Sequence, residues 1–209
     1  MSSYGTEQES FWAGDFGKEY TERNQGAQLH AGNLSFFSKI VHRTREVKSV
    51  LELGANRGMN LQALRTLLPL AELAGIEINP EAAKILEGSG FKAYRGSILD
   101  FAIDEPRDLT FTKGVLIHIN PEALPTAYDL LHAASKRYVL VAEYYNPAPT
   151  EIRYRGHTGK LFKRDFAGEL MDRHPDLRLV EYGFLYRRDP VFPQDDITWF
   201  LMEKSPAGR

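Results

Sequence analysis

Residues 50–60 read VLELGANRGMN. An apolar run that closes on an acid, Glu52, and is followed by Gly54 and Gly58 has the form of a strand entering a tight turn. Glycine at such a turn lets the backbone bend sharply and approach a ligand without a Cβ in the way. On either side the pattern alternates strand with helix: KSVLELG (48–54), NLQALRTLLP (60–69), ELAGIEI (72–78), PEAAKILEGSG (80–90) and FKAYRGS (91–97). Asn79 and Pro80 suit the N-cap and first position of a helix, and Gly88 suits the residue just past its end.

Further along, RDLTFTKGVLIHI (107–119) reads as a fourth strand with its exit, PEALPTAYDLLHAASK (121–136) as a helix and RYVLVAEYY (137–145) as a fifth strand. Two more strands, LRLVEYGFLYRR (177–188) and DITWFLMEK (196–204), follow without a long helix between them and predict an antiparallel hairpin at the sheet edge. Strand–helix alternation of this kind implies right-handed crossovers. The predicted fold is α/β: a Rossmann-like, seven-stranded, mostly parallel sheet with helices on both faces. Residues 1–44 form a helical lead-in and 45–209 the main domain, with a Pro-, Tyr- and base-rich insertion at about 144–166.

Size and composition bound the function. A chain of 209 residues with 43% hydrophobic content suits one domain with one large core. The net charge is -2, with both signs scattered, so no broad basic field attracts nucleic acid. The absence of cysteine removes disulfides, thiolate metal sites and a cysteine nucleophile. No apolar run approaches the ~20 residues needed to span a bilayer, and no membrane partner is expected. A cytoplasmic location is the expectation.

In an open α/β sheet the turn after the first strand is the usual ligand cradle. A dinucleotide site needs G-x-G-x-x-G, but Asn56 and Met59 stand where the second and third glycines belong. A P-loop fails because no Gly-Lys-Ser/Thr follows. What remains is an acid before the first glycine, Glu52, and a second acid, Glu77, closing the next strand. That pair suits S-adenosylmethionine, a cation with an amino-acid end and a ribose diol. Glu77, about 20 residues past the glycine turn, is placed to accept both ribose hydroxyls. Glu52 would orient the methionyl amino group through water or the loop backbone.

VLELGANRGMN, GIEINP and LTFTKGVLIHINP together resemble motifs of the class I S-adenosylmethionine-dependent methyltransferases, over roughly residues 45–145. More narrowly, FWAGDFGKEYTERN (11–24), KGVLIHINP (113–121), EYYNPAP (143–149), YRGH (154–157) and GKLFKRDFAGE (159–169) resemble the pseudaminic acid biosynthesis-associated methylases, a family linked to acidic nine-carbon sugars. The resemblance implies a donor site built from Glu52, Gly54, Asn56, Gly58, Glu77, Ile78, Ser97, Ile98 and Lys113. Two departures stand out. Asn56 replaces the usual central glycine, and Ser97 stands where the adenine-binding acid belongs, leaving Ser97, the Ile98 backbone or Asp100 for that task.

The reaction implied is methylation of a small acidic acceptor, O-methylation of a sugar or nucleotide-sugar, without a metal. His118 is the first choice of base and His157 the second, because an imidazole titrates near neutral pH. His118 in VLIHIN is also what a satisfied core histidine looks like: Val115, Ile117 and Ile119 would share one strand face, Leu116 and His118 the other. Charges in EIRYRGHTGKLFKR (151–164) are usually solvated. The interleaved aromatics nevertheless point to acceptor binding by Tyr144, Tyr145, Asn146, Tyr154, Arg155, Lys160 and Arg164, with Arg155 suited to a bidentate grip on a carboxylate or phosphate. Arg153 and Lys163 share that loop, and Glu143 joins Tyr145 as a candidate to position the acceptor. Phe11, Trp12, Phe16 and Tyr20 form either a packing helix or a lid, in which Tyr20 or Arg23 would reach the donor carboxylate. N- or carboxyl-methylation in a natural-product pathway, a non-catalytic donor-binding protein, and RNA or protein methylation are the competing readings. The assembly state, monomer or homodimer, is left open.

Overall fold

The computed structural model describes residues 4–205; residues 1–3 of the lead-in and 206–209 of the main domain lie outside the described residues. In chain order the helical lead-in resolves into α1 (Glu7–Ala13), α2 (Asp15–Arg23) and α3 (Ala27–Arg43). The alternating region follows as β1 (Ser49–Leu53), α4 (Met59–Leu67), β2 (Glu72–Glu77), α5 (Pro80–Gly88), β3 (Lys92–Arg95), β4 (Arg107–Lys113), α6 (Leu124–Ala133) and β5 (Ser135–Glu143). A two-residue ladder, β6 (Thr150–Glu151) and β7 (Phe162–Lys163), lies inside the insertion, and α7 (Phe166–Arg173), β8 (Leu177–Leu185) and β9 (Ile197–Lys204) complete the chain.

The main sheet has seven strands in the order β3-β2-β1-β4-β5-β9-β8. Strands β1 to β5 pair in parallel, whereas β9 runs antiparallel between β5 and β8. Successive residues of a strand face opposite sides, and β1 divides accordingly: Val50 joins Phe36, Phe37 and Ile40 of α3, while Leu51 and Leu53 join Leu131 of α6 and Leu170 of α7. Both faces are therefore covered, as the near-continuous apolar strands require. Among the described residues no helix is long and apolar enough to cross a membrane.

Asn79 caps α5, accepting from the Glu81 and Ala82 amides, with Pro80 at the first position. The helix ends slightly later than the sequence suggests, because Gly88 stays helical and Gly90 takes the left-handed conformation. The larger correction concerns residues 114–119. β4 stops at Lys113, Gly114 turns with φ 70°, and Leu116–His118 form a 3-10 turn, so the face alternation expected there does not exist. Glu143 is the cause. Its Oε1 accepts from Thr112 Oγ1 (2.8 Å) and the amides of Val115 (3.0 Å) and Leu116 (3.1 Å), and its Oε2 from Ile117 (3.3 Å). A buried carboxylate that collects three successive amides folds the chain around itself; it is not available to position an acceptor.

Glu143→Ala orphans those buried amides and should lower the unfolding free energy by about 3 kcal/mol or more. Urea denaturation of the two proteins measures this; a loss below about 1 kcal/mol would show that the turn is held by other contacts.

Candidate functional site

β1 lies between β2 and β4, so the chain runs outward in opposite directions from it, and a crevice opens where the strand order reverses. A cavity of about 500 Å³ occupies that place, at the carboxyl ends of the parallel strands. Its floor is the glycine turn and the exits of β2, β3 and β4; α1 and α2 roof it, and Arg187, Gln194 and Asp195 from the β8–β9 connection form a rim.

The turn is built from left-handed residues: Gly54 (φ 73°), Asn56 (φ 48°) and Gly58 (φ 83°). A Cβ on Gly54 would stand 2.6 Å from Val115 Cγ2. Asn56, in place of the usual glycine, is one of the few side-chain-bearing residues that visit this conformation readily. It has a task as well. Its Nδ2 donates to Thr21 Oγ1 in α2 (3.0 Å), its Oδ1 accepts from the Arg57 amide (2.7 Å), and its own amide donates to Glu77 Oε2 (2.7 Å).

Glu77 accepts from the Asn79 amide through Oε1 (2.8 Å) and is 7% exposed. Burial raises its carboxyl above the usual value, opposed by the Asn79, Asn56 and Ile78 amides. Glu52 lies behind the floor, 1% exposed, with Oε1 accepting from Asn60 Nδ2 (2.6 Å) and Oε2 buried without a partner. Burial pushes its carboxyl up to about 8, with the Asn60 bond opposing. Asn60 itself lines the cavity, as does Lys113, whose Nζ donates to Asn33 Oδ1 (3.3 Å) and whose pKa burial lowers.

Of the remaining predicted donor residues, Ile78, Ser97, Ile98 and Tyr20 line the cavity. Gly58 caps α4 against Leu86 and Phe91, and Arg23 faces outward toward Glu19 and Phe16. His118 lines it too: its Nδ1 lies 2.6 Å from Lys160 O, and its ring packs on Trp12 (4.5 Å) and Tyr154 (5.1 Å). That contact puts the proton on Nδ1, leaving Nε2 an acceptor. Burial lowers the imidazole to about 4.

The basic insertion behaves differently from expectation. Only Tyr144, Tyr154 and Leu161 of it reach the cavity. Lys160 is buried and paired with Glu7 of α1 (2.5 Å), Arg164 with Glu169 (2.8 Å), and Asn146 bonds Ala148 O and Thr150. Arg155 is exposed beside the Tyr154 ring, and Tyr145 is exposed against Phe200. His157 is exposed and packs on Phe11, outside the cavity lining. Sequence reasoning had no signal for Gln8, Glu9, Asn33 or Gln194, polar residues on helices and a connection that become cavity walls only when those elements converge. Among the described residues no group of three or more His, Asp and Glu side chains is arranged to hold a metal ion.

The sequence matches no protein-family model and no curated protein. Solved structures do match. A SAM-dependent methyltransferase from Archaeoglobus fulgidus superposes with a TM-score of 0.67 at 14% identity, covering 91% of this chain and all of its own, 100%. The plantazolicin methyltransferase BpumL in complex with SAH gives 0.66 at 14% identity, covering 95% and 94%. SAM-bound CalS10, an amino pentose methyltransferase from Micromonospora echinaspora, gives 0.62 at 12% identity, covering 91% and 96%. The chain has the class I methyltransferase fold. Upon this class I methyltransferase sheet, the cavity occupies the strand-order reversal, and α1 and α2 are the elements that close it.

Glu52 makes the site pH-sensitive. A carboxyl whose folded pKa, about 8, lies above its unfolded value of 4.5 stabilises the fold at acid pH and loses that contribution as pH rises through this window. Glu52→Gln mimics the protonated form. Its melting temperature should fall less than the wild type's between about pH 5 and about pH 8; parallel curves for the two proteins would contradict the shift.

Proposed function

We propose that the protein is an S-adenosylmethionine-dependent methyltransferase acting on a small hydroxylated acceptor. The observation that carries this reading is Glu77, a buried carboxylate at the end of β2, pinned by the Asn56 and Asn79 amides beside a left-handed glycine turn. With the Asn56, Asn79 and Ile78 amides facing it, the carboxylate keeps acceptor capacity on the cavity side for a ribose hydroxyl. The backbone cradle at Gly54 fits the remainder: Asn60, held from behind by Glu52, faces the amino group of the donor with its Oδ1, and Lys113 faces its carboxylate. Ile78 and Ile98 supply apolar surface for adenine. Bound there, the donor supplies an electrophilic methyl group on a sulfonium.

The chain's own part is to hold, orient and deprotonate the acceptor while α1 and α2 exclude water. Trp12, Tyr144 and Tyr154 supply aromatic walls for it, and the unpartnered Gln8 Oε1 and Gln194 Oε1 accept from its hydroxyls. Nε2 of His118 takes the proton that the attacking hydroxyl releases. The reading extends to an acidic sugar, the class suggested by the narrower resemblance, with Arg187 of the rim opposite its acid group. N-methylation is the second reading. It is favoured by the low basicity of His118, since an amine that is already neutral needs less help from a base.

Titration with S-adenosylmethionine and S-adenosylhomocysteine, with NADH as control, tests the donor; binding of the sulfur compounds alone supports the reading, and no binding with or without candidate acceptors refutes it. Glu77→Ala should weaken S-adenosylhomocysteine binding about 10- to 100-fold, as expected for lost hydrogen bonds to a charged group. An unchanged Kd sinks the ribose contact. His118→Ala should lower kcat by about 100-fold or more while the donor Kd moves less than about twofold; equal losses in both would remove His118 as the base.

A further inference from the structure

We infer that Glu9 of α1 recognises the adenine edge of the donor, its Oε1 accepting from the exocyclic 6-amino group; this rests on the donor reading above. Adenine offers a flat apolar face and, at position 6, an amino group that asks for an acceptor. The floor supplies the apolar part through Ile78, Ile98 and Val115 but has no committed acceptor for the amino group. Ser97 Oγ already accepts from the Leu99 amide (3.0 Å). Asp100 is exposed and lines an adjoining depression with Tyr4 and Phe101, which shares Ile76, Gly96 and Ser97 with the main cavity, but Asp100 is not itself one of the main cavity's walls.

Glu9 has what the floor lacks. It lines the same cavity as Ser97 and Ile98 and is 6% exposed. Its Oε2 completes the cap of α1, accepting from the Thr6 amide (2.8 Å) and Thr6 Oγ1 (2.9 Å), while Oε1 is buried with no partner. A cap needs only one carboxylate oxygen; the other is left at a cost unless a donor arrives. The path of the chain puts Glu9 over the adenine region. Upstream, Tyr4 shares its depression with Gly96 and Ser97 at the exit of β3. Downstream, the carbonyls of Trp12, Ala13 and Gly14 accept from Asn79 Nδ2 at the exit of β2. α1 thus bridges the two strand exits between which adenine is held, with Glu9 on its cavity side.

Calorimetric titration of the full chain with S-adenosylhomocysteine and S-inosylhomocysteine, which carries a carbonyl in place of the 6-amino group, tests the assignment. The wild type should prefer the adenosyl compound about tenfold or more, since the inosyl oxygen meets a carboxylate oxygen. Glu9→Gln keeps one oxygen for Thr6 and offers an amide N–H to the ligand, so the preference should shrink at least about tenfold or reverse. Glu7→Gln, which changes the other carboxylate of α1, outside the cavity lining, should leave the preference unchanged. Selectivity retained in Glu9→Gln, or lost equally in Glu7→Gln, overturns the proposal. If Glu9→Gln does not fold, the wild type decides alone, because binding of the two compounds within about twofold also overturns it. A wild type that binds neither compound overturns the donor reading itself, a different result from binding without dependence on residue 9.

Discussion

The bond pair made by Glu77 is the constraint on which the rest of the structure depends. One oxygen holds the Asn56 amide of the glycine turn and the other the Asn79 amide at the start of α5, so a single buried carboxylate locks two separate loops in one geometry. Each locked residue then reaches upward. Asn56 Nδ2 holds Thr21 of α2, and Asn79 Nδ2 lies 3.2 to 3.3 Å from three carbonyls at the α1–α2 junction. Gly17 permits that approach, because a Cβ there would stand 1.9 Å from Trp12 O. Floor and roof of the cavity are therefore one hydrogen-bonded unit.

Three buried acids close strands β1, β2 and β5, and their surroundings give them different work. Glu143 is saturated by backbone amides and a threonine, and it shapes the turn that presents His118. Glu77 faces the Asn56, Asn79 and Ile78 amides and still lines the cavity. Glu52 has one partner and one orphaned oxygen, and burial pushes its carboxyl up to about 8, against about 7 for the better-bonded Glu143. A saturated carboxylate is structural, whereas a buried oxygen with an unmet hydrogen bond carries a desolvation cost.

The insertion serves the roof more than the cavity. Lys160 pairs with Glu7, Gly159 O accepts from Gln8, and the Phe11 ring packs against His157. Its bases thereby fasten α1, and the backbone carbonyl of Lys160 fixes the tautomer of His118. A loop that looked in sequence like an acceptor clamp supports His118 and the helices above it.

Local patterning was enough to determine the α/β alternation, the antiparallel C-terminal pair, the Asn79–Pro80 cap and the glycine turn, since each rests on near-neighbour propensity and periodicity. Glu77 was legible for the same reason: an acid closing the strand after a glycine turn has few places to go. Only the tertiary structure decided the turn at Leu116–His118, because its cause, Glu143, is some 27 residues away in sequence. It also decided which charges face the cavity. Lys160 and Arg164 of the insertion are paired with Glu7 and Glu169, Lys163 lies over the Tyr144 ring and Arg153 and Arg155 are exposed, while Glu9 and Gln194 become walls. A side chain's partner is set by the packing of distant elements, and one sequence read locally carries no record of that packing.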